Sequence, residues 1–503
     1  KDDDKKDDDK KDEESKEIAK LEIDWKGLDR RVKRLTIHSS NLSDAVLNKD
    51  ADKLYYLAQF EGKYDLWETD LRTQDTKKTL SLGAANGSLM WDPKMENLYL
   101  LSRGSIAKID LKAGKKEGIS IGEKMLVDQN EIRQNEFDHV WLRTSKIFYE
   151  PTFHGIDWEL MRKEYKPKVA HVSTPNEFAH LLSEMLGELN VSHSGSGART
   201  SSSNADSTAS LGIFYDFAYQ GDGIKISEVI TDGPLDKAKF NVKAGDIITK
   251  IDNQAITQDL DWPVLLNRKE GKFVLLEVYD EANKSTSQIT VKPISLGDEG
   301  RLLYQRFVKV NEDEVLARSN GQLGYVHLPS MSDAPYRSIY DDMMGRFFNK
   351  KAMVVDARNN GGGDLVADLA MFFSGESFLT YATADRVMGG EPTSRYTKPV
   401  ISIFNESMYS DGHCYASGYT DLKIGKSVGM PVPGTCSFAG WERLSDGVYW
   451  GVVPISAKNK AGEWLENNQT SPDIIIKNLP GIVDAGRDQQ LERTVDEMMK
   501  DLK

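Results

Sequence analysis

Ser410 stands in the stretch NESMYSDGHCYA, directly after the apolar run VISIF and at the start of a segment with helical spacing. A serine at a strand-to-helix turn exposes its hydroxyl, and the N–H groups of the following helix point at an oxygen bound there. Gly412 leaves room for close backbone approach. The chemistry would be nucleophilic attack on a carbonyl. Serine at such a place also caps helices, so Ser410 reads either as a nucleophile or as an N-cap. A second strand-to-helix junction carries the glycine run NNGGGD, residues 359–364, after AMVVDAR. Glycines there let backbone N–H groups turn toward a developing oxyanion; a plain tight turn is the competing reading. No Gly-Lys-Ser/Thr closes the run, which excludes a Walker phosphate loop.

A serine nucleophile needs a base. His193, in NVSHSG, sits where a helical segment gives way to a Ser/Gly-rich one, between Ser192 and Ser194. A neighbouring hydroxyl can hold an imidazole in the tautomer that leaves one ring nitrogen free to take a proton. His154 and His413 compete for the role, and a loop histidine is also commonly just solvated. A third group should orient the base. Glu466, in EWLENNQTSPDIII, is the candidate; its alternative is an exposed carboxylate in a salt bridge.

The elements that must position these residues follow from periodicity. Residues 128–190 carry two helical patterns, the first ended by Pro151 and the second capped at Thr174 or Asn176. Residues 192–210, SHSGSGARTSSSNADSTAS, read as a flexible connection. Residues 211–296 return to short strands, with a short helix expected around Pro234–Lys239. From Gly321 onward strands and helices alternate, which argues an α/β layer with a largely parallel sheet. Upstream, residues 42–80 and 88–111 repeat a turn–strand–turn–strand pattern at a spacing of about 40 residues, the period of a propeller blade. Two such units are too few to close a propeller.

The chain has 503 residues, 65 Lys+Arg against 79 Asp+Glu, and a net charge of −14. Such an acidic chain is a poor partner for nucleic acid or anionic lipid. No apolar run approaches the ~20 residues of a membrane-spanning helix. Two cysteines, Cys414 and Cys436, exclude a disulfide scaffold and a four-cysteine zinc site. The 8 histidines form no HExxH and no Cys/His cluster, so neither metal nor cofactor is expected. Residues 1–17, KDDDKKDDDKKDEESKE, hold 10 acids and 6 lysines and read as a solvated linker. The absence of an initiator Met and of a signal peptide suggests a processed chain or a fragment of a longer one.

Taken in order, FYEPTFHGIDWELMRKEY (148–165), LLSEMLGELNVSHSG (181–195), VVDARNNGGGD (354–364), NESMYSDG (405–412) and LENNQTSPDI (465–474) resemble the C-terminal half of tricorn-type proteases, relatives of the carboxy-terminal processing proteases. The likeness runs from about Leu126 to the end, and residues 211–296 resemble the family's PDZ module. It implies a multidomain α/β plus all-β architecture. The expected parts are a charged linker (1–35), a partial β-propeller-like unit (36–125), a helical subdomain carrying the catalytic histidine (126–207), a PDZ-like domain (208–297) and an α/β serine protease core (298–503). It implies a tetrad: Ser410 as nucleophile, His193 as base, Ser192 on the imidazole and Glu466 behind Ser192. The oxyanion donors would be the N–H groups of Gly361 or Gly362 and of Asp411. Asp385, in the loop 376–394, would select a basic residue before the scissile bond or is simply an exposed loop charge.

The implied activity is hydrolysis of peptides or unfolded polypeptides through an acyl-enzyme. Alternatives are trimming of specific C-termini through the PDZ module, or a non-catalytic propeller–PDZ scaffold. No nucleic acid or membrane insertion is expected. The family's rings imply a homo-oligomer, and bacterial relatives a periplasmic rather than cytoplasmic setting. Cys414 and Cys436 either pair, in an oxidising compartment, or remain buried thiols.

Overall fold

The computed structural model describes residues 23–36, 39–60, 62–199, 202 and 204–503. The acidic stretch 1–17 lies outside them; residues 23–35 contain one short 3-10 turn, Leu28–Arg31. The chain divides into two compact units, residues 1–126 and 127–503.

In the first unit, β1 (Asn41–Leu47), β2 (Lys53–Gln59), β3 (Tyr64–Asp70) and β4 (Thr76–Ala84) form one antiparallel sheet in sequential order. A second such sheet comprises β5 (Ser88–Trp91), β6 (Leu98–Ser102), β7 (Ser105–Asp110) and β8 (Lys115–Ile119). Leu57 and Leu66 of the first share a core with Leu98 and Leu100 of the second. The two repeated patterns of the sequence are thus two four-stranded meanders, the form of propeller blades.

The second unit opens with α1 (Gln129–Ile147), α2 (Trp158–Tyr165) and α3 (Pro175–Gly187). Thr174 caps α3 in a reciprocal capping box with Glu177, with Pro175 in the first turn. Immediately downstream comes β9 (Gly195–Ala198). The expectation of a flexible 192–210 segment is corrected at this strand. A Cβ on Gly197 would lie 2.5 Å from the Tyr449 hydroxyl, so the tyrosine ring packs across this glycine. A six-stranded sheet follows: β10 (Ile213–Tyr215), β11 (Ile224–Val229), β12 (Ile247–Ile251), β13 (Gln254–Ala255), β14 (Val274–Asp280) and β15 (Ser285–Val291). Residues 234–239, expected to be helical, form turns instead. Pro234 lies against Gly212, and the backbone N–H groups of Asp236 and Lys237 close tight turns on Gly233 and Leu235.

The long helix α4 (Leu296–Arg318) leads into the α/β layer: β16 (Leu323–His327), α5 (Asp333–Asp341), β17 (Ala352–Asp356), α6 (Val366–Phe373), the hairpin β18 (Leu379–Ala382) and β19 (Val387–Glu391), β20 (Val400–Phe404), α7 (Asp411–Asp421) and β21 (Lys426–Gly429). The chain ends with the antiparallel pair β22 (Ser437–Arg443) and β23 (Val448–Ser456), the short β24 (Ile474–Ile475) and α8 (Gln489–Asp501). Strands β16, β17, β20, β21 and β24 form one sheet in that order, every pair parallel. β17 and β20 are buried at every position, as expected of a parallel sheet covered on both faces.

Two features bring the helical segment to this sheet. β9 pairs with β23, which pairs with β22. The apolar face of α3 (Leu182, Met185, Leu186) shares a core with Trp450 and Val452 of β23. The turn after α3, which carries Ser192 and His193, is thereby delivered to the α/β layer.

Candidate active site

Ser410 follows the buried strand β20 and occupies the residue before α7. Its backbone has φ 57° and ψ −128°, and its side chain makes no capping bond, which removes the N-cap reading. Such a conformation costs on the order of 1–3 kcal/mol and persists only where its surroundings enforce it. Here the Ser410 N–H donates to Thr435 Oγ1 at 3.0 Å, while its carbonyl accepts from His413 N at 2.8 Å. A disulfide between Cys414 and Cys436 ties the first turn of α7 to the segment that carries Thr435. The two cysteines are therefore paired.

The glycine run lies against this turn. Gly362 has φ +90°, and a Cβ on it would stand 2.5 Å from Ser410 Cβ and 3.0 Å from Ser410 Oγ. Any side chain there would collide with the serine. The Gly361 N–H donates to Pro329 O at 3.1 Å, and the Gly362 N–H to Asn360 Oδ1 at 2.8 Å. Asn360 is fully buried and also donates through Nδ2 to Leu328 O. Asn359 and Asn405 exchange hydrogen bonds of 2.9 Å, linking the glycine loop to the loop before Ser410. Asp411 is buried, and its carboxylate accepts from Leu365 N at 2.9 Å. Burial pushes that carboxyl up, opposed by the N–H groups of Leu365 and Val366.

Next to the glycine loop is a buried ion network. Arg358 reaches Asp356 and Asp488, each at 2.6 Å, and Gln490 at 3.2 Å. Asp356 is fully buried and also accepts from the Tyr325 hydroxyl at 3.0 Å. Its carboxyl stays below the usual range because the Arg358 charge and hydrogen bonds outweigh the large cost of burial.

Ser192, His193 and Glu466 come together although Ser192 and Glu466 are 274 positions apart. Glu466, 3 % exposed, accepts from Ser192 N at 2.6 Å, from Ser192 Oγ at 2.9 Å and from the Ser437 hydroxyl. Its alternative as an exposed surface carboxylate is thereby excluded. Ser192 Oγ lies 2.7 Å from His193 Nδ1. The Ser192 proton goes to Glu466, so Ser192 Oγ accepts from Nδ1–H and the basic lone pair sits on Nε2. That Nε2 is buried and has no hydrogen-bond partner among the described residues. Burial lowers the His193 pKa, with the Glu466 charge acting in the opposite sense. The ring is therefore neutral at neutral pH and able to accept a proton.

The two sides meet at Tyr409. Its ring stacks on the imidazole with centroids 4.6 Å apart, and its hydroxyl accepts the His193 N–H at 2.9 Å. His193, like Ser410, has φ +57°.

The competing histidines are engaged elsewhere. His154 bonds Leu189 O at 2.8 Å and the Tyr149 hydroxyl at 2.7 Å. His413 Nδ1 accepts from Thr435 N and Cys436 N at 3.0 and 3.1 Å, its Nε2 faces Thr470 Oγ1 at 2.9 Å, and burial lowers its pKa to about 4. Asp385 is exposed in the β18–β19 hairpin, where its carboxylate accepts from Thr383. Sequence reasoning missed Asn360, Tyr409, Thr435 and Ser437. Tyr409 borders the serine, Asn360 borders the glycines, and Thr435 and Ser437 flank Cys436.

Comparisons with known proteins find similar proteins along most of the chain. Residues 128–187 match the Tricorn protease C1 domain, 202–291 the PDZ domain and 322–476 peptidase family S41. The chain is 29 % identical over 406 residues to the tricorn protease homolog 1 of Streptomyces coelicolor, covering 73 % of this chain and 36 % of that one. It is 26 % identical over 475 residues to the putative tricorn-like protease C-terminal subunit of Sulfurisphaera tokodaii, covering 89 % of this chain and 53 % of that one. A crystal structure of the tricorn protease superposes with a TM-score of 0.77 at 18 % identity, over 90 % of this chain and 46 % of that one, which shows a shared fold. The chain thus spans between about a third and a half of these relatives' lengths. The segment 322–476 makes the chain similar to peptidases of family S41. The curated relatives it matches are of the tricorn type, and the segments similar to the C1, PDZ and peptidase parts follow one another in that order along this chain. No described helix is long and apolar enough to cross a membrane.

Proposed function

We propose that the chain hydrolyses peptide bonds of peptides or unfolded polypeptides through a Ser410–His193–Ser192–Glu466 tetrad and an acyl-enzyme. The observation that carries this reading is the relay from buried Glu466 through Ser192 to His193, which leaves a buried Nε2 open in a turn held against the residue before Ser410. In the proposed reaction Nε2 takes the Ser410 proton as Oγ attacks the carbonyl carbon. The imidazolium, stabilised by Ser192 and Glu466, then protonates the leaving amine. Water attacks the ester by the same route in reverse and frees Ser410. The oxyanion would be met by the N–H of Asp411, at the start of α7, and by that of Gly362, shared with Asn360 Oδ1. Gly362 is favoured over Gly361 by its contact with Ser410.

The test is a panel of fluorogenic peptides varied at the residue before the scissile bond, cleaved by wild type and by Ser410→Ala. A loss of about 10³-fold or more in kcat/KM supports the covalent mechanism; an undiminished mutant overturns the nucleophile assignment. Asp385→Asn on the same panel reads whether that carboxylate selects basic residues. The paired cysteines favour an oxidising compartment such as the periplasm. We further propose a homo-oligomer, on the family resemblance, to be read by light scattering.

A further inference from the structure

The relay leaves His193 held at one edge. The Ser192 bond to Nδ1 fixes one point of the ring, while rotation about the side-chain bonds could still swing Nε2 away from Ser410. The faces of the ring need a separate support, and Tyr409 offers it. The planes of the two rings are 29° apart, and the phenol oxygen accepts the His193 amide proton, which holds the backbone at φ +57°. The main chain of Tyr409 is fastened separately: its N–H donates to Asn360 O at 2.9 Å, beside the glycine loop, and its carbonyl accepts from Gly412 N at 2.9 Å. One residue therefore touches the base with its side chain, the oxyanion loop with its amide and the nucleophile through the peptide bond.

We infer that Tyr409 is a positioning residue for the base: its stacked ring aims the imidazole at Ser410. This rests on the reading of Ser410 and His193 as nucleophile and base. The ring face also attracts the imidazolium that forms during attack, so its effect falls on the transition state more than on substrate binding. Tyr409 is 39 % exposed, so removal of its ring leaves no sealed cavity and is compatible with folding.

The test compares Tyr409→Phe, Tyr409→Leu and Tyr409→Met in the full chain. Sites are counted with a fluorophosphonate that labels the reactive serine, so that every rate refers to folded, competent molecules. Tyr409→Leu and Tyr409→Met should lower kcat per site and the labelling rate by about 10–100-fold, with KM within about threefold. Tyr409→Phe keeps the stack and should stay within about fivefold of wild type. A Leu variant with wild-type kcat overturns the inference, as does a Phe variant as impaired as the Leu one. A loss confined to KM overturns it as well. Wild type that is not labelled at Ser410 overturns the underlying reading instead, which keeps the two failures apart.

Discussion

Ser410 stands at the end of a buried parallel strand and is clamped by α7, by the Thr435 hydroxyl and by a disulfide one turn away. His193 stands in a turn between α3 and β9, held by Ser192, Tyr409 and, through Ser192, Glu466. The serine side is thus fixed by packing and a covalent link, the histidine side by a chain of polar contacts. The segment 435–437 serves both: Thr435 on the Ser410 amide, Cys436 in the disulfide, Ser437 on Glu466. Faults on the serine side should act as steric failures, and faults on the histidine side as changes in proton transfer.

The sharpest way to break the serine side is Gly362→Ala. Its methyl group would stand 2.5 Å from Ser410 Cβ at a φ that alanine resists. Activity should fall by at least about 10²–10³-fold, since both serine and oxyanion donor would be displaced. Circular dichroism should stay native; a variant with near wild-type kcat would remove the steric argument.

On the histidine side, Glu466→Gln removes a charge with little change of shape. The proposed mechanism predicts kcat lower by about 10–100-fold. It also predicts a shift in the pH profile. Burial lowers the His193 pKa and Glu466 raises it, so losing the charge lowers it further. The acid limb of kcat/KM should therefore move to lower pH even as the plateau falls. A limb that moves upward would place another group in control.

The smallest effect on activity is expected from the disulfide. Converting both Cys414 and Cys436 to serine opens a loop of 22-residue separation and should cost about 2–4 kcal/mol in denaturant unfolding. Thr435 and the His413 hydrogen bonds remain, so activity well below the melting temperature should fall by less than about tenfold. A larger loss would mean that the covalent link, rather than packing, sets the serine.

Much of the serine side was legible in the sequence. An apolar run followed by a turn, a serine and a helical pattern has one local solution, and the glycine run has another. The blade-like sheets and the alternation after Gly321 were legible for the same reason, because each rests on periodicity. On the histidine side the residues offered candidates with alternatives left open, and the resemblance chose among them. Ser192 and Glu466 meet across 274 positions, and local pattern does not encode such a pairing. The strand Gly195–Ala198 hid in a Ser/Gly-rich stretch because its stability comes from pairing with β23 rather than from its own side chains. Helix α4 was missed because few of its residues are buried, among them the polar Asn311 and Glu312. The turn at 234–239 was read as helix although Pro234 and the neighbouring Gly233 break the local pattern.

The buried Arg358 beside the glycine loop has a consequence for the newly made chain. Its second carboxylate, Asp488, lies at the start of α8, 130 positions downstream. Until Asp488 has left the ribosome, closing the loop would bury the guanidinium with Asp356 balancing its charge but with its bonds to Asp488 and Gln490 unmade, and a buried donor left without a partner costs about 1–3 kcal/mol. The glycine loop of the nascent polypeptide should therefore close late, only once the start of α8 is at hand.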